Sequence, residues 1–181
     1  MEAQKMFFDR SDWVPNNQTL PVIVYREIFI CDDGCEEFAR LFTSHGWEGI
    51  WRDGVFDYQH YHAGAHEVLG VGRGTAKLLI GGPTGKVLEL HPGDCLVLPA
   101  GTGHQKQGAS SDFQVVGAYP PGQHPDIQTS AATAELLKKI AEVPLPETDP
   151  VQGASGPLFE AWHLGDKQAT DSDIASAGKS G

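Results

Sequence analysis

Positive charge is what this chain has least of: Lys and Arg total 13 against 24 Asp and Glu, a formal net charge of −11 over 181 residues. That balance repels a phosphate backbone or an anionic membrane surface, so neither nucleic acid nor membrane is expected as a partner and a small-molecule ligand is. Long apolar runs are missing too. No stretch approaches the roughly eighteen apolar residues of a membrane-spanning helix, and Met1 to Trp13 is charged, without the apolar core of a secretory leader. Cysteine is scarce and odd in number. Cys31, Cys35 and Cys95 offer no paired disulfide framework, which fits a reducing compartment and predicts a cytoplasmic protein. The Cys31 and Cys35 pair has no second Cys or His pair beside it to complete a four-ligand metal clip. There is no internal repeat and no helix-turn-helix pattern, and the length suits one domain able to bury its own core.

What is present is short, punctuated and mostly of period two. Residues 32–46 are the exception: Cys35, Phe38, Leu41 and Phe42 fall on one helical face, with Asp32 or Asp33 as N-cap and Gly46 as the stop. From Trp51 onward, turn signals at Ala63-Gly64, Gly81-Gly82-Pro83, Pro92-Gly93-Asp94 and Ala100 to Gly103 separate consecutive antiparallel strands. Residues 86–91 read as a strand with one wet face, 95–99 as a strand apolar on both, and Phe113 to Tyr119 as a further strand. Residues 130–142 predict a second helix closed by Val143-Pro144. The chain then becomes rich in Pro and Gly, with Leu158, Phe159 and Trp162 as anchors of an extended arm. The expected organisation is an N-terminal extension with strand and helix (1–47), a β core (48–120), a helix and arm packed on it (121–164), and a disordered tail (165–181). Strands at this spacing imply a sandwich or small barrel.

Within the β core, His60, His62, Glu67 and His104 place three imidazoles and a carboxylate on short β-type segments, an inventory of metal ligands. Fixed punctuation surrounds them: Gly54, His60-x-His62, Glu67 and Gly74 in one group, Gly93, Pro99-x-Gly101 and His104 in another. This pattern resembles the two motifs of the cupin superfamily, over residues 54–108, with Gly108 where the second motif usually has Asn. The resemblance implies an all-β jelly-roll barrel (a double-stranded β-helix) with a few flanking helices, and a divalent transition metal held by His60, His62, Glu67 and His104.

Residue parity adds detail. In a strand His60 and His62 share a face, and extending it backward selects Arg52, Gly54, Phe56 and Tyr58 for the interior, leaving Trp51, Asp53, Gln59 and Tyr61 outside. His66 and Glu67 cannot both point inward. Glu67 continues as Leu69 and Val71, the better core face, so Glu67 is expected as ligand and His66 on the outer face or in a supporting position. Tyr58 is expected either to hydrogen-bond near the ligands or to serve as an aromatic wall. Such a donor set suits Fe, Mn, Ni, Cu or Zn and leaves two adjacent positions open on a six-coordinate ion. Glu67 is also the candidate base. The expected function is a small-molecule metalloenzyme, dioxygenase-like or isomerase-like; the alternative is a module that binds or senses a small metabolite without turnover. The two-faced strand 95–99 and the arm each need a cover, which predicts a homodimer.

Overall fold

Two-sided apolar segments and two amphipathic helices decide how this chain packs. In the computed structural model, described for residues 2–164, the expected tail at 165–181 lies outside the described residues. The strands are β1 (Ala3–Met6), β2 (Val22–Tyr25), β3 (Glu48–Asp53), β4 (Glu67–Arg73), β5 (Ala76–Ile80), β6 (Lys86–Leu90), β7 (Cys95–Leu98), β8 (His104–Ala109) and β9 (Gln114–Tyr119). They form a six-stranded sheet, ordered β1-β2-β7-β4-β9-β3, and a three-stranded sheet, ordered β6-β5-β8, with every pair antiparallel. Residues 1–47 thus supply two strands of the larger sheet.

Alternation along the central strands feeds two apolar clusters. Val22, Val24, Leu69, Val71, Leu96 and Leu98 meet Leu78, Ile80, Leu88 and Leu90 of the smaller sheet in a shared core. Their neighbours Ile23, Tyr25, Val68, Cys95 and Val97 point the other way, against helix α1 (Cys35–Ser44) and the C-terminal arm. Each buried Leu or Val contributes about 1.5–3 kcal/mol, and a sheet sandwiched this way needs apolar residues at consecutive positions, which β7 has. On β6, by contrast, Leu88 and Leu90 turn in while Val87 and Glu89 face solvent.

Helix α1 has Gly34 at its N-cap and not the expected Asp32 or Asp33, with no side-chain cap from that residue. Asp33 Oδ1 accepts the Cys35 amide, Glu36 and Glu37 sit in the first turn where the helix dipole favours them, and Gly46 at φ 81° ends the run. Its Phe38 ring lies directly on Gly70, where any Cβ would come within 2.6 Å of it. Helix α2 (Ala134–Glu142) begins four residues later than expected, because Thr133 accepts the Leu136 amide as an N-cap.

The arm closes on its own chain. Asp149, fully buried, accepts the Tyr25 hydroxyl at 2.7 Å and the amides of Val151, Gln152 and Leu158. Helix α3 (Pro157–Ala161) then delivers Leu158 and Trp162 into the cluster around Tyr25 and Val97, with Trp162 Nε1 donating to the Pro21 carbonyl. The arm thus packs on the outer face of its own sheet. No helix among the described residues is long and apolar enough to cross a membrane.

Candidate metal centre

His60 and His104 sit opposite each other. Their backbones exchange both hydrogen bonds, His60 N to His104 O at 3.2 Å and His104 N to His60 O at 2.9 Å, in an isolated antiparallel bridge. Their ring centroids are 4.1 Å apart, with the ring planes tilted by 54°. His62 follows on the same side of the chain, and its ring centroid is 5.5 Å from that of His60 and 5.2 Å from that of His104. Glu67 opens β4 and points to the same place, its Oε1 3.5 Å from Nε2 of both His62 and His104. One ligating atom from each of the three histidines lies within 4.8 Å of the others.

The orientation of each ring is set from behind. Nδ1 of His60 faces the Tyr58 carbonyl at 3.0 Å, Nδ1 of His104 faces the Thr102 carbonyl at 3.0 Å, and Nδ1 of His62 faces the Asp126 carbonyl. A carbonyl only accepts, so Nδ1 carries the proton in all three rings and each neutral imidazole presents a lone pair at Nε2. Asp126 is itself pinned, its carboxylate accepting the amides of Ala63 and Gly64 and the side chain of Gln128. Donors about 2.0–2.2 Å from an ion in tetrahedral or octahedral array stand about 3–3.5 Å apart, so a divalent cation fits the His62, His104 and Glu67 spacing. The residues present fit the metal that their types imply.

Charge follows geometry. Burial, and then the neighbouring His104 ring, push the His60 imidazole down to about 3. Burial pulls His62 the same way, but the Glu67 carboxylate outweighs it and the imidazole is pushed up to about 8. Burial would raise the Glu67 carboxyl, yet His62 and His104 hold it well below the usual carboxylate range. Tyr119, at the end of β9, is the residue behind Glu67. Burial first and the Glu67 charge second drive its hydroxyl far above the ordinary phenol range, so it stays a donor to that carboxylate. Its oxygen accepts Trp51 Nε1 at 2.8 Å.

Opposite the cluster a cavity of about 450 Å³ opens to solvent, walled by Trp51, Val55, Phe56, Leu69 and Ile127 and carrying Asp53 and Lys106. This corrects the parity expectation for residues 51–58. Trp51 and Asp53 line the cavity, whereas Arg52 is turned out to pair with Glu36. Gly54 and Phe56 do line the cavity, but Phe56 is 46% exposed and stacks at the mouth on Tyr58, which is 41% exposed and outside the lining. The reason is physical: a bulge between Glu48 and Trp51 and irregular chain from 54 to 59 separate β3 from His60, so period two cannot be counted across them. Tyr61 does point away from the cluster and is fully buried under α2, its hydroxyl donating to the Ser130 carbonyl.

His66 turns away from Glu67. Its Nδ1 accepts the Ala100 amide at 2.9 Å and its ring meets Trp162 edge-on at 4.8 Å. Burial, only partly offset by the carbonyls of Val143 and Pro144, pushes it down to about 3. Tyr119, Trp51, Asp126 and Lys106 have no place in the expected ligand set. Of these Tyr119 was legible by continuing the alternation Val115, Gly117, Tyr119, and Lys106 by continuing it from His104.

One relative settles kinship: over 163 residues the chain is 40% identical to the uncharacterized protein YjlB of Bacillus subtilis (strain 168), covering 89% of this chain and 97% of that one. The chain belongs to the YjlB family. No family model matches it. Among solved structures it is similar to an acireductone dioxygenase from Bacillus anthracis with a cadmium ion in its active center, at 21% identity over 51% of this chain and 64% of that one, with a TM-score of 0.35. It is also similar to a DMSP lyase structure, at 20% identity over 63% of this chain and 45% of that one, with a TM-score of 0.32. The chain spans less than two thirds of either, and neither score reaches the level at which a shared fold follows.

Proposed function

We propose that this YjlB-family chain is a metal-binding cupin of jelly-roll type that holds one divalent transition metal on Nε2 of His60, His62 and His104 and on Glu67, and that it acts on a small molecule in the adjoining cavity. The observation that carries this reading is the set of three buried imidazoles with Nδ1 tied to backbone carbonyls and Nε2 turned to one point beside a carboxylate. The family's two motifs and the pair of antiparallel sheets sharing one core support the same assignment.

Bound there, the metal supplies Lewis acidity and a template for two substrate oxygens, the chemistry common to dioxygenase-like and isomerase-like reactions. The chain supplies the rest. Tyr119 and Trp51 fix the carboxylate plane of Glu67, Asp126 fixes the His62 ring, and the apolar wall offers a packing surface to the substrate. Glu67 serves as ligand more readily than as base, since a carboxyl held below its usual range is a weak proton acceptor.

Elemental analysis of the purified protein tests the metal directly: about one metal per chain is expected, falling in His104→Ala. Oxygen uptake with β-diketones, thiols and sugars then separates the chemistries. Iron with uptake supports dioxygenation; nickel or zinc without uptake supports isomerisation, or binding alone if no substrate turns over. Metal-free protein that takes up none of these ions overturns the reading.

A further inference from the structure

Beyond its ligand atoms, the cavity wall is apolar apart from two opposite charges that differ in setting. Asp53 is exposed, and its carboxylate accepts the amide of the next residue, Gly54, at 2.7 Å. Lys106 is half-buried, and among the described residues no hydrogen bond or ion pair engages its ammonium group. Strand alternation explains its position. His104, Gln105 and Lys106 are consecutive on β8; Gln105 turns away to donate to the Asp57 carbonyl, so Lys106 shares the cavity face with His104. Two residues of strand place their Cα atoms about 7 Å apart. The Lys106 amide is anchored on the Phe56 carbonyl at 2.9 Å, which fixes the root of the side chain beside the aromatic mouth.

Apart from the ligand histidines, Lys106 is therefore the cavity's one cationic side chain, and a ligand carboxylate reaching it would form a charge-assisted pair beside the apolar wall. The carboxylate of Glu67 cannot serve as that partner, being occupied by His62, His104 and Tyr119. We propose that the cavity takes a small organic acid that chelates the cluster's metal through two neighbouring oxygens and sets a carboxylate, several bonds away, on Lys106 Nζ. The apolar middle of that acid packs against Trp51, Val55 and Ile127. The volume of about 450 Å³ suits such a molecule. This inference rests on the metal reading above and adds the class of ligand.

The test uses two probes that share a β-diketone chelate and differ in charge: 4,6-dioxoheptanoate, with its carboxylate two methylenes beyond the diketone, and neutral 2,4-heptanedione. Each is titrated calorimetrically into full-length protein loaded with Zn(II), with metal content measured on the same samples. The acid is expected to bind about tenfold or more tightly than the neutral diketone. In Lys106→Met that preference disappears while 2,4-heptanedione binds as before, which also shows that the variant is folded; Lys106→Arg keeps the preference. Equal binding of the two probes by the wild type, a preference that survives in Lys106→Met, or loaded protein that binds neither probe overturns the proposal. Failure to load metal is read from the elemental analysis alone and overturns the metal reading beneath it.

Discussion

His62 and His66 are four residues apart, both buried, and chemically opposite. The difference lies in what touches Nδ1. For His62 it is a carbonyl, so Nε2 is left to face Glu67, where it holds a proton that a cation can displace. For His66 it is the Ala100 N–H, so Nδ1 spends its lone pair on the backbone and the proton sits on Nε2, toward the Val143 and Pro144 carbonyls. One ring is prepared to hold a cation and the other is a rivet between the Pro99 turn and the C-terminal arm. Residue type does not distinguish the two; the neighbour behind the ring does.

The sharpest way to break that comparison is to remove one ring from each side. His104→Ala or His60→Ala should reduce bound metal from about one per chain to below about a tenth, because a donor set losing an imidazole also loses its convergence. His66→Ala should leave metal content unchanged. If both lower it equally, the distinction between the two environments fails. Glu67→Gln keeps the shape and removes the charge, and metal affinity measured by chelator competition should fall by about a hundredfold or more, at least the upper end of what losing an outer partner costs.

Next in size is the pH effect, for which the two classes of histidine have opposite signs. His62 has its pKa raised to about 8, so in the metal-free protein it binds a proton that unfolding would release: its stabilisation is complete below about 6.5 and is lost as pH rises through about 8. His60 and His66, pushed down to about 3, bind fewer protons folded than unfolded, so they destabilise progressively as pH falls below about 6.5. Thermal melts of metal-free protein should therefore peak near pH 6.5. Metal must displace the His62 proton, so its affinity should climb up to about tenfold per pH unit towards about 8 and then level. A metal affinity flat between pH 6 and 8 contradicts the His62 and Glu67 pairing.

Smaller effects sharpen the picture. Tyr119→Phe removes the donor behind Glu67 and should weaken metal binding by about tenfold without unfolding the chain. His66→Ala strands the Ala100 amide and opens a void beside Trp162, a loss of about 2–3 kcal/mol. The melting temperature should drop by roughly 4–12 °C at constant metal content.

The same contrast shows what the sequence could carry. The alternation Glu67, Leu69, Val71 was readable because β4 is regular up to Val71, and the two faces of β7 were readable because every position is apolar. Counting backward from His60 failed at Trp51 and Tyr58 because the intervening chain is not a strand. Asp126 was out of reach for another reason: its role comes from long-range closure, reaching back across the sequence to His62 through a backbone carbonyl that any residue type could have supplied. The arm was expected over the barrel or a neighbour, and what fixes it on its own chain is Asp149, whose amide partners are likewise invisible to side-chain pattern.

Asp126 has a consequence for how the protein comes together. Its carbonyl aims His62, and its carboxylate fastens Ala63 and Gly64, so the segment after β9 is the last wall the ligand set needs. Assembly of the centre then waits on a late, non-local docking step, and by linkage a bound cation must hold that segment down as firmly as the segment holds the ring. Loading and closure become one event: the amides of Ala63, Gly64 and Gln128 should exchange with solvent more slowly in proportion to occupancy, making this short loop a reporter of the cation it never touches.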